Sequence, residues 1–180
     1  MVAKDFKTNV LPVSSKLFRF AANFLRNEDD ARDVVQDIFL KLWQKKDGLD
    51  KIDNIEAFAM RMTRNRCLDV IRARKVAPIN GEVEKYMKET ATDVHLGVEL
   101  SESASIIQNL IEKLPDVQRT VMLLRDIEQY SYDEIAEVTD LQINAIRVNL
   151  SRARKKVREE FFKTMDNGTK RSKNIIATLF

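Results

Sequence analysis

The chain has 180 residues, 44% of them hydrophobic and 33% charged, enough for one medium domain or two small ones with a real core and a polar surface. Only four glycines and three prolines interrupt it, so long periodic stretches favour helices over many short strands. No apolar run approaches the roughly 20 residues of a membrane span, Met1–Pro12 has no apolar stretch suited to a secretory signal, and the lone Cys67 cannot form an internal disulfide. These features predict a cytoplasmic protein without direct membrane insertion.

The formal net charge of +3 hides an uneven distribution. Arg61–Lys75 carries six basic residues against one acid, Asp69, and Arg147–Arg158 carries six and no acid. Such local stripes are the electrostatic footprint of nucleic-acid binding.

In chain order, Leu17, Phe20, Ala21, Phe24 and Leu25 recur at helical spacing. After a polar break at Arg26–Asp30, Val34, Val35, Ile38, Phe39, Leu42 and Trp43 form a second apolar stripe, with Trp43 expected in the core. A loop around Asp47–Asp50 ends that helix. Asp53-Asn54-Ile55-Glu56 reads as a capping box with Asp53 as N-cap. A third helix is predicted from about Ile55 to Arg74, its core drawn from Ile55, Phe58, Ala59, Met62, Leu68 and Ile71. Residues 76–102 turn acidic and contain Pro78, Gly81 and Gly97, the pattern of a linker with at most short helical turns.

A second helical block starts near Ser101. Ile106, Ile107, Leu110, Ile111 and Leu114 predict a helix that stops at Pro115, and Pro115 at a first helical position opens the next, with Val117, Val121, Met122 and Leu124. Ser131-Tyr132-Asp133-Glu134 is a second capping box, starting a short helix Tyr132–Val138. The turn Thr139-Asp140-Leu141 follows, with Asp140 where positive φ is expected, and then a long helix from about Ile143 to Phe162. The expected fold is all-α: two small helical domains joined by a flexible linker, the second holding a helix-turn-helix.

Three constellations carry function. On the last helix, apolar Ile143, Ile146, Leu150, Ala153 and Val157 take the core side. That leaves Arg147, Val148, Ser151, Arg152, Arg154 and Lys155 outside, suited to a DNA major groove. The second is Arg61, Arg64, Asn65, Arg66, Asp69, Arg72, Arg74 and Lys75. It fits phosphates and one amide-read base, or a merely solvated face with Asp69 pairing an arginine. The third is Glu28, Asp29, Asp30, Asp33 and Asp37 with Gln36. It answers either the positive end of a helix or a protein partner. Single His95 and Cys67 exclude a histidine-rich or cysteine/histidine metal site, no glycine-rich phosphate loop is present, and no cofactor or catalytic residue is expected.

Taken in order, these blocks resemble the extracytoplasmic-function group of bacterial sigma factors, RNA polymerase subunits of the sigma-70 class. Asp30–Trp43 is similar to that family's region 2.2, Asn65–Arg72 to region 2.4, and Leu114–Arg119, Ser131–Ala136 and Leu150–Lys156 to region 4. The resemblance spans roughly residues 14 to 160. It implies a non-enzymatic initiation factor with a region 2 domain at 1–75, a linker at 76–102 that threads toward the polymerase cleft, a region 4 domain at 103–162, and a tail at 163–180 of no assigned role. It implies docking on core RNA polymerase through Asp30, Asp33, Gln36, Asp37 and Leu40. Melted and double-stranded promoter DNA would meet Lys51, Asn54, Arg61, Asn65, Arg66 and Arg72 at the minus-ten element, with Gly48–Phe58 helping to open it and Asn65 lining a flipped-base pocket. The minus-thirty-five element would meet Arg119, Arg147, Val148, Ser151, Arg152, Arg154 and Lys155. An anti-sigma factor, frequently membrane-bound in such systems, is a further implied partner. The sequence departs from the family at Gln142, Ala145, Val148 and Asn149, at the groove-reading end, so the promoter sequence cannot be borrowed from relatives. The competing reading is an ordinary helix-turn-helix repressor or activator, which would need neither the acidic face nor the Asn65 cluster.

Overall fold

The structure is a computed structural model that describes residues 10–76 and 102–166. The expected linker and the tail from residue 167 onward lie outside the described residues. The described residues are helical throughout apart from turns, and they fall into two compact units taken here in turn.

In the first unit a 3-10 turn at Leu11–Val13, begun with Pro12, leads into α1, Ser14–Leu25. Its predicted face, Leu17, Phe20, Ala21, Phe24 and Leu25, is buried, and the Phe20 and Phe24 rings stack at 5.5 Å. Arg26 adopts the left-handed conformation (φ 55°) and sends its N–H to the Ala22 carbonyl, ending the helix. Asn27 then caps α2, Glu28–Gln44, accepting from the Asp30 N–H at 2.9 Å, while Glu28, Asp29 and Asp30 meet the positive end of the dipole. α2 buries Ala31, Val34, Val35, Ile38 and Leu42. A 3-10 turn, Lys46–Lys51, buries Leu49 and turns the chain into α3, Ile55–Val76. Each of α1, α2 and α3 packs against the other two.

Three expectations change here. The cap of α3 is Asn54, whose side chain accepts from the Ala57 N–H at 3.0 Å. A box centred on Asp53 would need Glu56 three residues into the cap register, but Glu56 instead pairs with Lys16 of α1 at 2.6 Å. Trp43 is 41% exposed. It lies about a third of a turn away from the centre of the buried α2 stripe, too far round to reach the core. The core of α3 is Ala57, Ala59, Met60, Thr63, Cys67 and Leu68, whereas Ile55, Phe58, Met62 and Ile71 are half-buried. Small residues let α3 approach its neighbours closely. Thr63 returns its hydroxyl to the Ala59 carbonyl at 2.9 Å, and Cys67 is a buried packing residue.

The second unit begins with α4, Glu102–Glu112, in which Ile111 is buried and Ile106, Ile107 and Leu110 are half-buried. Pro115 is the N-cap, not the first residue, of α5, Asp116–Met122. α5 runs on into a π turn, Leu123–Ile127, closed by Glu128 N–H to Leu123 carbonyl at 3.0 Å. The expected capping box forms: Glu134 N–H donates to Ser131 Oγ at 3.2 Å and Ser131 N–H to the Glu134 carboxylate at 2.6 Å. It opens α6, Tyr132–Thr139. Asp140 takes the expected left-handed conformation (φ 58°), and α7 runs from Ile143 to Asp166. α7 lays Ile146, Leu150, Ala153, Val157 and Phe161 into the core, against α4 and α5.

One polar tie adds to this seam. Asp126, on the π turn, accepts two hydrogen bonds from the Arg154 guanidinium, the Nε contact at 3.1 Å. The hydrogen bond to Asp126 holds Arg154 above its ordinary pKa, against the opposing effect of burial.

Two stability outcomes follow. Asp140→Val puts a β-branched side chain at positive φ and should lower the stability of the second unit by about 1–2 kcal/mol in urea titrations, while Asp140→Gly should not. Equal midpoints for the two variants would show that the turn does not enforce that backbone. Asp126→Asn should cost about 1–3 kcal/mol by weakening a charge-assisted pair, and an unchanged midpoint would show that the pair is only incidental.

Candidate nucleic-acid and docking surfaces

On α2 the helical repeat of about 100° per residue sorts the charges. Asp33, Gln36 and Leu40 are exposed, with Leu40 57% exposed, and they share a stripe with Asp37, Trp43 and Gln44 opposite the buried Val34–Ile38–Leu42 line. Not every acid is presented outward. Asp37 pairs with Arg66 of α3 at 3.1 Å, and Asp30 pairs with Arg74. Arg32 is held within α2 by Glu28 and Asp29. The outward stripe is therefore mixed: with Asp37 engaged by Arg66, it offers one carboxylate, two amides and two large apolar side chains. Trp43 belongs to it, with the Lys46 ammonium 4.8 Å from its ring centroid. Counting the helical angle from Leu42 would have revealed this in the sequence. Exposed apolar groups ringed by polar ones suit a protein partner better than a free solvent face.

On α3, Asn54, Arg61, Asn65 and Arg72 fall within about 40° of one another around the helix, spaced seven, four and seven residues apart. Asn65 is exposed, and its side-chain oxygen accepts from Arg64 Nη1 at 3.1 Å, which leaves the amide NH2 pointing donors outward. Arg72 is exposed and lies 3.7 Å from Asp69, a weak surface pair. Asn54 spends its side-chain oxygen on the helix cap. Arg66 stands on a different side of α3, facing α2 and Asp37, so the structure separates it from the other predicted minus-ten residues. Lys51 is exposed on the 3-10 turn. An open hollow of about 320 Å³ lies on that turn, lined by Gln44, Lys45, Gly48, Leu49 and Ile52.

On α7 the buried seam leaves Arg147, Val148, Ser151, Arg152 and Lys155 exposed on the opposite side. Arg147 lies 5.2 Å from the Tyr132 ring centroid and Arg125 lies 4.9 Å from it. Arg125 also donates to the Tyr130 carbonyl at 2.6 Å. An open basic hollow beside this corner is lined by Tyr132, Arg147, Ser151, Arg154, Lys155 and Arg158. Asn149 is half-buried and donates back to the Ala145 carbonyl at 2.9 Å, away from the exposed face.

Two of the residues predicted to meet minus-thirty-five DNA are placed otherwise. Arg119 is 5% exposed and donates to the Glu112 carbonyl at 3.4 Å, at the negative end of α4. A guanidinium so enclosed cannot reach a groove without opening the α4–α5 junction. Arg154 is half-buried and engaged by Asp126, a contact that ties α7 to the π turn. The partner of Arg154 is not visible in local sequence, since Asp126 is 28 residues away. Among the described residues there is no cluster of His, Cys, Asp and Glu able to hold a metal ion, and no helix long and apolar enough to cross a membrane.

Comparison with known proteins places both units. The family model for sigma-70 region 2 matches residues 11–76, and that for sigma-70, region 4 matches residues 104–157. The chain is 27% identical over 158 residues to the ECF RNA polymerase sigma factor SigW of Bacillus subtilis (strain 168), covering 81% of this chain and 82% of that protein. It is 24% identical over 147 residues to RNA polymerase sigma factor SigV of the same organism, covering 81% and 84%. Among solved structures, the sigma factor RpoE of Bartonella quintana, crystallised with the anti-sigma factor NepR, superposes with a TM-score of 0.69 at 25% identity, over 89% of this chain and 98% of that one. Two family models that fit the two helical units in order, with relatives spanning both, show that the chain belongs to the sigma-70 class of RNA polymerase sigma factors, in its extracytoplasmic-function group, which serves transcription initiation.

Proposed function

We propose that this chain binds core RNA polymerase and directs it to promoters by reading two DNA elements, with no catalysis of its own. The observation that carries the reading is the exposed Arg147–Val148–Ser151–Arg152–Lys155 face, held outward by a fully buried seam on the second helix of a helix-turn-helix. A major groove admits one such helix, and its arginines can each pair with a guanine edge. In this assignment residues 103–162 read the minus-thirty-five element, residues 1–75 dock on polymerase and open the minus-ten element, and 76–102 join them. The working set for the upstream element is Arg147, Val148, Ser151, Arg152 and Lys155. Arg119 and Arg154 act from behind the helix as positioning residues.

The α2 stripe Asp33, Gln36, Leu40 and Trp43 is the proposed polymerase-docking face, with Asp30 and Asp37 of the same helix tied to Arg74 and Arg66 of α3. The α3 stripe Asn54, Arg61, Asn65 and Arg72, with Lys51 and the hollow on its turn, is the proposed minus-ten surface. Arg66 acts there through its pair with Asp37. An anti-sigma partner is proposed on the strength of the Bartonella relative, which was crystallised with one. The work of such a subunit belongs in the cytoplasm.

Adding the purified chain to sigma-free core polymerase should yield promoter-specific transcripts. DNA binding without such transcripts would instead support a free-standing repressor or activator. In that assay Arg147→Ala or Arg152→Ala should cost about 1–3 kcal/mol on the upstream element and relax one base pair. A loss equal on every sequence would demote that residue to a phosphate contact. Asn65→Ala should leave polymerase binding intact while reducing permanganate reactivity of thymines at the start site, because pocket contacts must offset a flipping cost of a few kcal/mol. Wild-type reactivity on a promoter that both proteins bind would remove Asn65 from the pocket.

A further inference from the structure

The recognition face of α7 contains one member that phosphate binding does not explain. Val148 is 47% exposed, in a row otherwise made of the polar Asn144, Arg147, Ser151, Arg152 and Lys155. Single exposed apolar residues are common on protein surfaces and need no special account. This one has three features that make a solvated role a poor fit. It sits near the centre of the side opposite the buried Ile146–Leu150–Ala153–Val157 line, about 170° from the middle of that seam. It lies in the first two turns of α7, the part of a recognition helix that reaches base edges. It is also β-branched, which disfavours an exposed helical position unless the side chain finds something to pack against.

The neighbours narrow what that something is. Arg147 and Arg152 supply donors suited to guanine or phosphate, and Ser151 supplies a hydroxyl. Asn149, the nearest amide, is turned back onto the Ala145 carbonyl and is not presented with them. The exposed face carries no carboxylate in its first two turns, so a cytosine finds no charged acceptor there, and its outward amide, Asn144, lies a full turn before Val148, where it would serve an adenine at a neighbouring position. The only base-edge group in a major groove that an aliphatic side chain recognises is the C5-methyl of thymine.

We infer that Val148 is a specificity-determining residue of the upstream element, selecting a thymine by packing its two methyl groups against the base's C5-methyl. The inference rests on the reading of α7 as the groove helix. Guanine selection by Arg147 or Arg152 supplies polar discrimination beside it, and Val148 disfavours a cytosine at its own position, which would present an N–H2 donor to an apolar surface with no acceptor to receive it.

The test uses the full chain reconstituted with sigma-free bacterial core polymerase and a promoter library randomised across the upstream element. The selected element should contain at least one fixed thymine. Replacing each such thymine singly by deoxyuridine removes only the methyl. One position should lose about fourfold in affinity, the worth of one methyl taken out of water, and that loss should disappear in Val148→Ser, which has no methyl group, and shrink in Val148→Ala, whose single methyl reaches less far. Selection of guanine contacts should survive in both variants, and both should stay folded, because the site is exposed and neither replacement is a poorer helix former than valine. A selected element with no fixed thymine, or a deoxyuridine penalty equally large in Val148→Ala, overturns the inference while leaving α7 as the reader. Failure to select any upstream sequence overturns the groove-helix reading as well.

Discussion

The seam of α7 is the constraint on which the second unit depends. Ile146, Leu150, Ala153, Val157 and Phe161 are each at most 2% exposed, and their three-to-four-residue spacing fixes the rotation of the helix to within a few tens of degrees. A rotation of one residue, about 100°, would bury Arg147 and expose Ile146. Burying a guanidinium without a partner costs several kcal/mol, a large part of the stability margin of a small domain, and exposing Ile146 adds to it, so the alternative registers are disfavoured. The side chains offered to DNA are thus chosen by the side chains hidden from water.

Charge in the first unit follows a different logic. The acidic cluster of α2 and the basic cluster of α3 look in sequence like two independent surfaces. In the structure they partly satisfy each other, through Asp37–Arg66 and Asp30–Arg74. Pairs this exposed add little to stability, about 0–1 kcal/mol each. Their effect is on presentation: Arg66 is drawn off the α3 stripe, and Asp37 is oriented against α3. What remains outward on α2 is less acidic and more apolar than the raw composition suggests, because Leu40 and Trp43 stand beside Asp33 and Gln36.

How much of this was legible follows from how local each cause is. The capping box at Ser131 and the positive φ at Asp140 were readable because both are decided within four residues. The α3 cap was misplaced by one residue because Asp53 and Asn54 are both good caps, and Glu56, which would complete a box with Asp53, pairs with Lys16, 40 residues away. The core of α3 was misread because large apolar residues were assumed to be innermost. Close helix approach selected Ala59, Met60, Thr63 and Cys67 instead, leaving Phe58 and Ile71 half-covered. Arg154 was read as a DNA ligand because an arginine in a basic run looks alike whether its partner is a phosphate or a distant carboxylate, while Arg119 came with the family resemblance, which does not reveal its burial against the Glu112 carbonyl. Trp43 alone was recoverable, since its helical angle already set it apart from Leu42 and Ile38.

The helix-turn-helix also links its two halves through the start of α6. The Ser131–Glu134 box fixes the first turn of that helix, and with it the backbone that carries Tyr132. The Tyr132 ring in turn lies within cation–π distance of Arg147 from α7 and of Arg125 from the π turn. Arg125 donates to the Tyr130 carbonyl just ahead of the cap, and Asp126, its neighbour on the π turn, grips Arg154. Arg147 and Arg154 lie seven residues apart on one edge of α7, so both contacts bear on the same side of the helix. Each contact by itself is modest. Together they constrain the groove-facing arginine from a direction the apolar seam does not cover, and an arginine already oriented has less rotamer entropy to lose when it meets a base. In the proposed reading of α7 as the groove helix, the π turn would contribute to recognition without presenting a side chain to DNA, by holding α7 through Asp126–Arg154 and by flanking the Tyr132 ring that Arg147 lies over.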